Sequence, residues 1–276
     1  MIFVDFRSKQ KDENFNLIFP DWESGENVAF LSPHDDDALL GAGYLLTAVL
    51  RHGGFPLVMI MCKGDAGYSN EGEKYRIVDV RKDEALSAYG RLGVPPFRIH
   101  FLDIPDFSLM PHVNRMVFVN SGLFLEQIRI FRQEKISRVV FSSGFFEHWD
   151  HTAVYYMGIY NSPQAGDPVL VDLGEPHIVK SYLVYSVWGD FAPSFDEPKE
   201  LRASKGILAD EELEEKITTA INDFNSQEKI FAGIMNHRKK RKCEQGYLEL
   251  YQDVEVRKPT DFNPYFEAIK KIQKPI

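Results

Sequence analysis

Short apolar runs alternate with helical spacings through the first two thirds of the chain. Asn27 followed by Val28-Ala29-Phe30-Leu31 predicts a short buried strand. Leu39 to His52 then repeats at helical spacing and closes on Gly53-Gly54. Pro56 starts a second apolar run, Leu57 to Cys62, and Gly64, Gly67, Ser69, Asn70 and Gly72 mark the loop after it. Glu73 to Leu92 reads as a helix stopped by Gly93. Arg98 to Leu102, Ser137 to Ser142 and Ile178 to Trp188 read as further strands, with helices over Leu123 to Glu134 and Thr152 to Tyr160. This β-α-β-α order predicts an α/β fold, a Rossmann-like doubly wound and mostly parallel sheet with helices on both faces in three layers. Downstream, Leu213, Ile217, Ile221, Phe224, Phe231 and Met235 predict one long amphipathic helix packed on the sheet.

The 276 residues suit a single domain, and 44% apolar residues suffice for a full core. Within that domain the pattern separates an N-terminal extension (1–26), a core (27–188), and a loop with a C-terminal helical extension (189–276). Lys and Arg number 32 against 41 Asp and Glu, a formal charge of −9 that argues against nucleic acid or an anionic membrane as main partner. The two cysteines, Cys62 and Cys243, are far apart and form no CxxC, so neither a zinc finger nor a disulfide framework is expected. No secretory signal and no bilayer-spanning run is visible, and a cytoplasmic setting is the simplest expectation.

Polarity concentrates at two strand ends. Ser32-Pro33-His34-Asp35-Asp36-Asp37 ends the first strand and Glu147-His148-Trp149-Asp150-His151 follows the fourth. In the doubly wound order 3-2-1-4 these strands are neighbours, and ligands bind beyond their carboxyl ends. His34 and Asp37, three apart on a first helical turn, together with His151 form a two-histidine, one-carboxylate set for a catalytic metal. Asp36 would take a proton from water activated by that metal. His148, protonated, would offset charge on a tetrahedral intermediate. Asp150 would hold one of the flanking imidazoles and raise its pKa. Each cluster alone has bland readings, a solvated turn or a chance His-x-x-His. Gly41-Ala42-Gly43 lacks the third glycine of a dinucleotide loop, and His52, His100, His112 and His177 have no partner pattern. The basic run Lys239 to Lys242 reads as a helix end.

These residues resemble the PIG-L/LmbE-type zinc-dependent de-N-acetylases over about residues 27 to 155. His34-Asp35-Asp36-Asp37-Ala38-Leu39-Leu40-Gly41 is similar to that family's first motif, with Gly41 fixing the register, and His148-Trp149-Asp150-His151 is similar to its His-Pro-Asp-His. The resemblance implies Asp36 as general base, His34, Asp37 and His151 as zinc ligands, and Arg81 of Arg81-Lys82-Asp83-Glu84 as a substrate contact; a salt bridge on its own helix is the competing reading of Arg81. Gly64-Asp65-Ala66-Gly67 resembles the family's Gly-Glu-x-Gly loop. Ala38 stands where the family has glutamate, Asp35 and Trp149 where it has proline, and Trp149 is expected to wall the pocket.

The expectation is therefore a zinc hydrolase that removes acetyl from an N-acetylated sugar conjugate of the N-acetylglucosamine type, with iron or cobalt as alternative metals. The sugar comes only from the resemblance. A metal-dependent amidase on another acylated small molecule, or a silent sugar- or metal-binding protein of the same fold, stays open, as does a homo-oligomer. Two Pro- and Asp-containing segments, 161–176 and 190–199, are candidate lids.

Overall fold

In a computed structural model, which describes residues 1–192 and 201–272, the apolar runs become the centre of one sheet. Strands β1 (Ile2–Asp5) and β2 (Gln10–Asp12) precede β3 (Asn27–Ser32), helix α1 (Asp37–Arg51), β4 (Phe55–Cys62), α2 (Ile77–Leu92), β5 (Ile99–Ile104) and the single turn α3 (Leu109–His112). A hairpin of β6 (Met116–Val117) and β7 (Asn120–Ser121) leads to α4 (Leu123–Gln133), β8 (Ile136–Ser142), α5 (Trp149–Tyr156) and β9 (Ser181–Tyr185). Then come β10 (Lys205–Ala209), α6 (Glu211–Ile221), α7 (Glu228–Arg238), β11 (Lys242–Cys243), β12 (Gly246–Asp253) and α8 (Asn263–Lys271).

The sheet order is β2-β1-β10-β12-β9-β8-β3-β4-β5, with β11 paired to β12. The block β9-β8-β3-β4-β5 is parallel, and β3 lies between β8 and β4, the expected doubly wound order. Strands β3 and β8 are almost wholly buried, as continuous apolar runs covered on both faces should be. Val28 and Phe30 face the core under α1, α2 and α6, whereas Ala29 and Leu31 face α4 and α5. Helix α1 is buried from Asp37 to Val49 because it is sandwiched between the sheet and α6. Gly41 permits that contact, since a Cβ there would strike the Tyr185 ring of β9. Tyr185 in turn donates to the Leu31 carbonyl at 3.0 Å.

Two expectations need correction. The long C-terminal helix is two helices, α6 and α7, because Asn222-Asp223-Phe224-Asn225-Ser226 supplies turn chemistry instead of helix interior. Glu84 of α2 fixes the break by accepting from the Ser226 amide and hydroxyl at 2.8 and 2.7 Å. The 161–176 segment forms short 3-10 turns and is pinned by Arg132, which donates to the carbonyls of Ala165, Asp167, Val169, Leu170 and Gly174. It packs against α4, away from the strand ends that carry the polar clusters. Of the other candidate lid, 190–199, residues 193–199 lie outside the described residues.

At the opposite end of the sheet a buried ion pair ties three elements together. Glu26 accepts from Arg138 at 2.7 and 3.1 Å, from Ser137 at 2.9 Å and from Lys180 at 3.1 Å. Burial would raise the Glu26 pKa, but these donors, Arg138 first, outweigh it and hold the carboxyl at about 2. The folded pKa lies below the unfolded one, so this stability is fully present above about pH 4.5 and is lost as pH falls toward 2. Glu26→Gln leaves Arg138 buried without a counter-charge. In urea melts it should cost about 3–5 kcal/mol at pH 7, and the difference from wild type should shrink below pH 4.

Candidate metal and catalytic site

The site is assembled where β3 and β8 end side by side. Ser32 closes β3, and its hydroxyl donates to the His34 carbonyl at 2.5 Å and accepts the Ala38 amide at 3.0 Å. This staples the His34-Asp35-Asp36 turn to the first turn of α1. Asp36 occupies the N-cap of α1 yet makes no capping hydrogen bond, so its carboxylate stays available to the cavity. Asp37 is turned inward, and its Oδ2 accepts the His34 amide at 2.8 Å. Past β8, His148 caps α5 through Nδ1, which accepts the Asp150 amide at 3.1 Å. In the neutral His148 ring the hydrogen therefore sits on Nε2.

Two imidazoles converge on one carboxylate oxygen. Asp37 Oδ2 lies 3.0 Å from His34 Nδ1 and 3.1 Å from His151 Nε2. The remaining nitrogen of each ring faces a second buried carboxylate: His34 Nε2 is 3.4 Å from Asp150, and His151 Nδ1 bonds Glu147 at 2.5 Å. Carboxylates behind both imidazoles are what orient histidines toward a metal. His34, Asp37 and His151 thus fit a divalent cation with nitrogen and oxygen donors. Among the described residues two other groupings share His34, one with His148 and Asp150, one with Cys62 and Asp106. They fit less well, because Asp150 is already saturated by the amides of Phe107 at 2.7 Å and Leu109 at 3.2 Å. Burial and the nearby Asp150 also push the Cys62 thiol far up, away from the thiolate a metal needs.

The charges follow from this geometry. Burial opposes ionisation of Asp37, but His151 and His34 hold its carboxyl well below the ordinary range. Burial likewise pulls His151 down, and Asp37 with Glu147 carries it up to about 9. His34 is raised well above its ordinary value against burial by Asp150 and Asp37. Asp36 behaves oppositely: burial, and repulsion from Asp37 and Asp35 that Arg81 only partly offsets, push it up to about 7. His148 is lowered by burial and by the neighbouring His34. Asp150 therefore raises the pKa of His34, while His148 ends up below its ordinary value.

Arg81 is at the cavity wall, but its guanidinium is occupied. It pairs with Asp35 through Nε at 2.8 Å and through a terminal nitrogen, reaches Asp36 at 3.5 Å, and donates to Gln227 at 3.3 Å. The guanidinium forms a buried ion pair with Asp35, the residue standing at the family's proline position, and lines the cavity at the same time. Gly67 is needed here, since a Cβ would collide with the guanidinium. Gln227, delivered by the break between α6 and α7, donates to the Gly67 carbonyl at 2.8 Å. Asp106 accepts from the Gly64 and Ala66 amides at 2.8 and 3.0 Å and fixes the same loop.

Above these groups opens a cavity of about 220 Å³, lined by His34, Asp36, Asp37, Arg81 and His148, with Phe107, Trp188, Ile230 and Ile234 among its apolar walls. Trp149, expected to wall the pocket, is 70% exposed and does not line it. Glu147 is the residue that sequence reasoning passed over. Its Oε1 accepts from the Ser186 hydroxyl at 2.9 Å and from the amides of Val187, Trp188 and Gly189 at 2.8, 3.0 and 2.9 Å. Its four-residue spacing from His151 was the available signal.

Residues 29–160 match the sequence model of the family described as PIG-L, GlcNAc-PI de-N-acetylase. No curated protein matches the sequence at a comparable level. Among solved structures, the chain is similar to the N,N'-diacetylchitobiose deacetylase of Pyrococcus horikoshii, at 18% identity over 88% of this chain and 87% of that one, with a TM-score of 0.69. A conserved protein of Thermus thermophilus follows at 19% identity, 86% and 97% coverage and a TM-score of 0.62. So does the 4-carboxy-2-hydroxymuconate hydratase GalB of Pseudomonas putida, at 18% identity, 86% and 99% coverage and 0.62. At such identities the likeness shows the α/β fold, and a hydratase beside a deacetylase illustrates that the fold hosts more than one chemistry. The expected reaction class, hydrolysis of an amide, is that of the matched family.

Glu147→Gln keeps the hydrogen-bonding shape but removes the charge behind His151. It should weaken binding of added divalent metal about 10–100-fold, read by competition with a chromogenic chelator, without unfolding the chain.

Proposed function

Because residues 29–160 match the model of the PIG-L family, we propose that the chain is a zinc-dependent N-deacetylase acting on an N-acetylated sugar conjugate. The observation that carries this reading is the pair of imidazoles meeting at Asp37, each backed by a carboxylate, beside an Asp36 left free of capping duty. The sugar is supported by the family description and by the chitobiose deacetylase among the similar structures. A reducing, cytoplasmic setting belongs to the same reading, in keeping with free Cys62 and Cys243. Among the described residues no helix is long and apolar enough to cross a membrane.

His34, Asp37 and His151 would hold the divalent cation, which would supply Lewis-acid polarisation to the reaction. Asp36 accepts the water proton as the new C–O bond forms; before any cation binds, burial and the adjacent Asp37 and Asp35 hold its pKa up at about 7, which favours uptake of a proton. His148 lines the cavity with its Nδ1 already occupied, so its Nε2–H would donate to the charge that develops on the acyl oxygen, and the neutral ring suffices for that. When the C–N bond breaks, Asp36 returns its proton to the leaving amine, and the products are acetate and the free amino sugar. Arg81 and Asp35 position Asp36, and Asp150 keeps His34 and the Phe107 segment in place.

Acetate release from N-acetylglucosamine derivatives tests the reading directly. It should be abolished by chelation and restored by zinc. Asp36→Asn should retain zinc by metal analysis yet lose about 10²–10⁴-fold in kcat. Loss of zinc in that variant would instead put Asp36 among the ligands. His148→Ala should also keep the metal and lose about 10²–10³-fold in kcat, as removal of one hydrogen-bond donor to a developing oxyanion does.

A further inference from the structure

The cavity is too small for a whole glycoconjugate. At about 220 Å³ it falls below the roughly 300–1,000 Å³ of sites that enclose drug-sized ligands. A substrate larger than one acylated sugar must therefore extend over the rim. That rim is apolar: Phe107 is 67% exposed, Trp188 50% and Ile230 43%, although all three line the cavity.

The two aromatic residues are held, not merely left outside. Phe107 has φ +62°, a left-handed conformation unfavourable for a bulky side chain, and its amide is gripped by Asp150 at 2.7 Å. Its ring lies 4.3 Å from the His148 ring, centroid to centroid. The Trp188 amide is gripped by Glu147 at 3.0 Å. Asp150 and Glu147 are the carboxylates behind His34 and His151, so each supports one imidazole and one aromatic residue of the rim. Phe118 and Phe146 are also exposed and left-handed, so what sets Phe107 apart is its place on the cavity rim and the bond of its amide to a carboxylate that also backs a site imidazole.

We propose that Phe107 and Trp188 form an aromatic clamp for an apolar substituent of the substrate, carried beyond the reacting amide. The proposal rests on the deacetylase reading for the position of the amide, and names the substrate class as N-acylated sugars bearing an aryl or alkyl group. The same chemistry arises from an apolar aglycone or from a longer acyl chain.

The zinc-loaded enzyme would be assayed on N-acetylglucosamine, on its phenyl and octyl β-glycosides, and on N-octanoylglucosamine. At least one apolar substrate should exceed the bare sugar about tenfold or more in kcat/KM, the scale expected from burying a few methylenes. The glycosides report the aglycone and the octanoyl compound the acyl chain. In Trp188→Ala and Phe107→Ala that ratio should fall toward one. Phe107→Gly removes the ring while suiting the left-handed backbone, and should do the same even if the alanine variant folds poorly. Ratios near one in the wild type, or variants that slow every substrate equally, would overturn the clamp. Calorimetric binding of octyl β-glucoside, which has no amide, separates the two readings. Binding that depends on both rings without any hydrolysis retains the clamp and removes the deacetylase; hydrolysis without such binding does the reverse.

Discussion

The structure turns on one buried carboxylate, Asp37, whose Oδ2 is shared by two imidazoles. A charge this deep is unfavourable unless countered, and here the counter-charge is the pair His34 and His151, themselves stabilised by Asp150 and Glu147. Without a cation, protons on the imidazoles balance the cluster. With one, the same atoms would become ligands and the outer carboxylates would keep their partners. The inner arrangement is thus ready for metal before metal arrives. Asp36, the residue before it, lacks such partners, and its raised pKa suits the proton-accepting role proposed for it.

Much of this was legible in the chain because it depends on local pattern. Asn27–Ser32 and Ile136–Ser142 are apolar runs bounded by polar clusters, and their adjacency follows from doubly wound order. The antiparallel half of the sheet was not legible. Strands β1, β10 and β12 pair over separations of about two hundred residues or less, and strands of four to eight residues carry little periodic signal on their own. The break between α6 and α7 was hidden because Phe224 keeps the apolar spacing while its polar neighbours end the helix. At the site, Arg81 was visible as an arginine on the right helix, but its buried pairing with Asp35 is a long-range fact. Asp150 and Glu147 were both visible; which one stands behind which imidazole depends on how α5 is rotated, and spacing alone does not give that.

The two ends of the parallel block show different uses of buried charge. At the Glu26 end, opposite charges are paired and saturated, which fixes β8 against the N-terminal extension and the segment before β9. At the His34 end, Asp35 and Asp37 have counter-charges, but Asp36 between them is repelled by both and only partly offset by Arg81. The first arrangement favours stability, the second a mobile proton. Natural folds commonly accept such local conflict where chemistry is done.

Glu147 joins the metal site to a turn that contains no ligand. Its one oxygen organises three successive amides, Val187 to Gly189, and its other oxygen reaches His151. Thermodynamic linkage then runs both ways. Occupancy of the metal site should lower the opening frequency of this turn, and any ligand that orders the turn should tighten the hold on the metal. A substrate resting on Trp188 would thereby strengthen, through a single side chain, the centre that cleaves it.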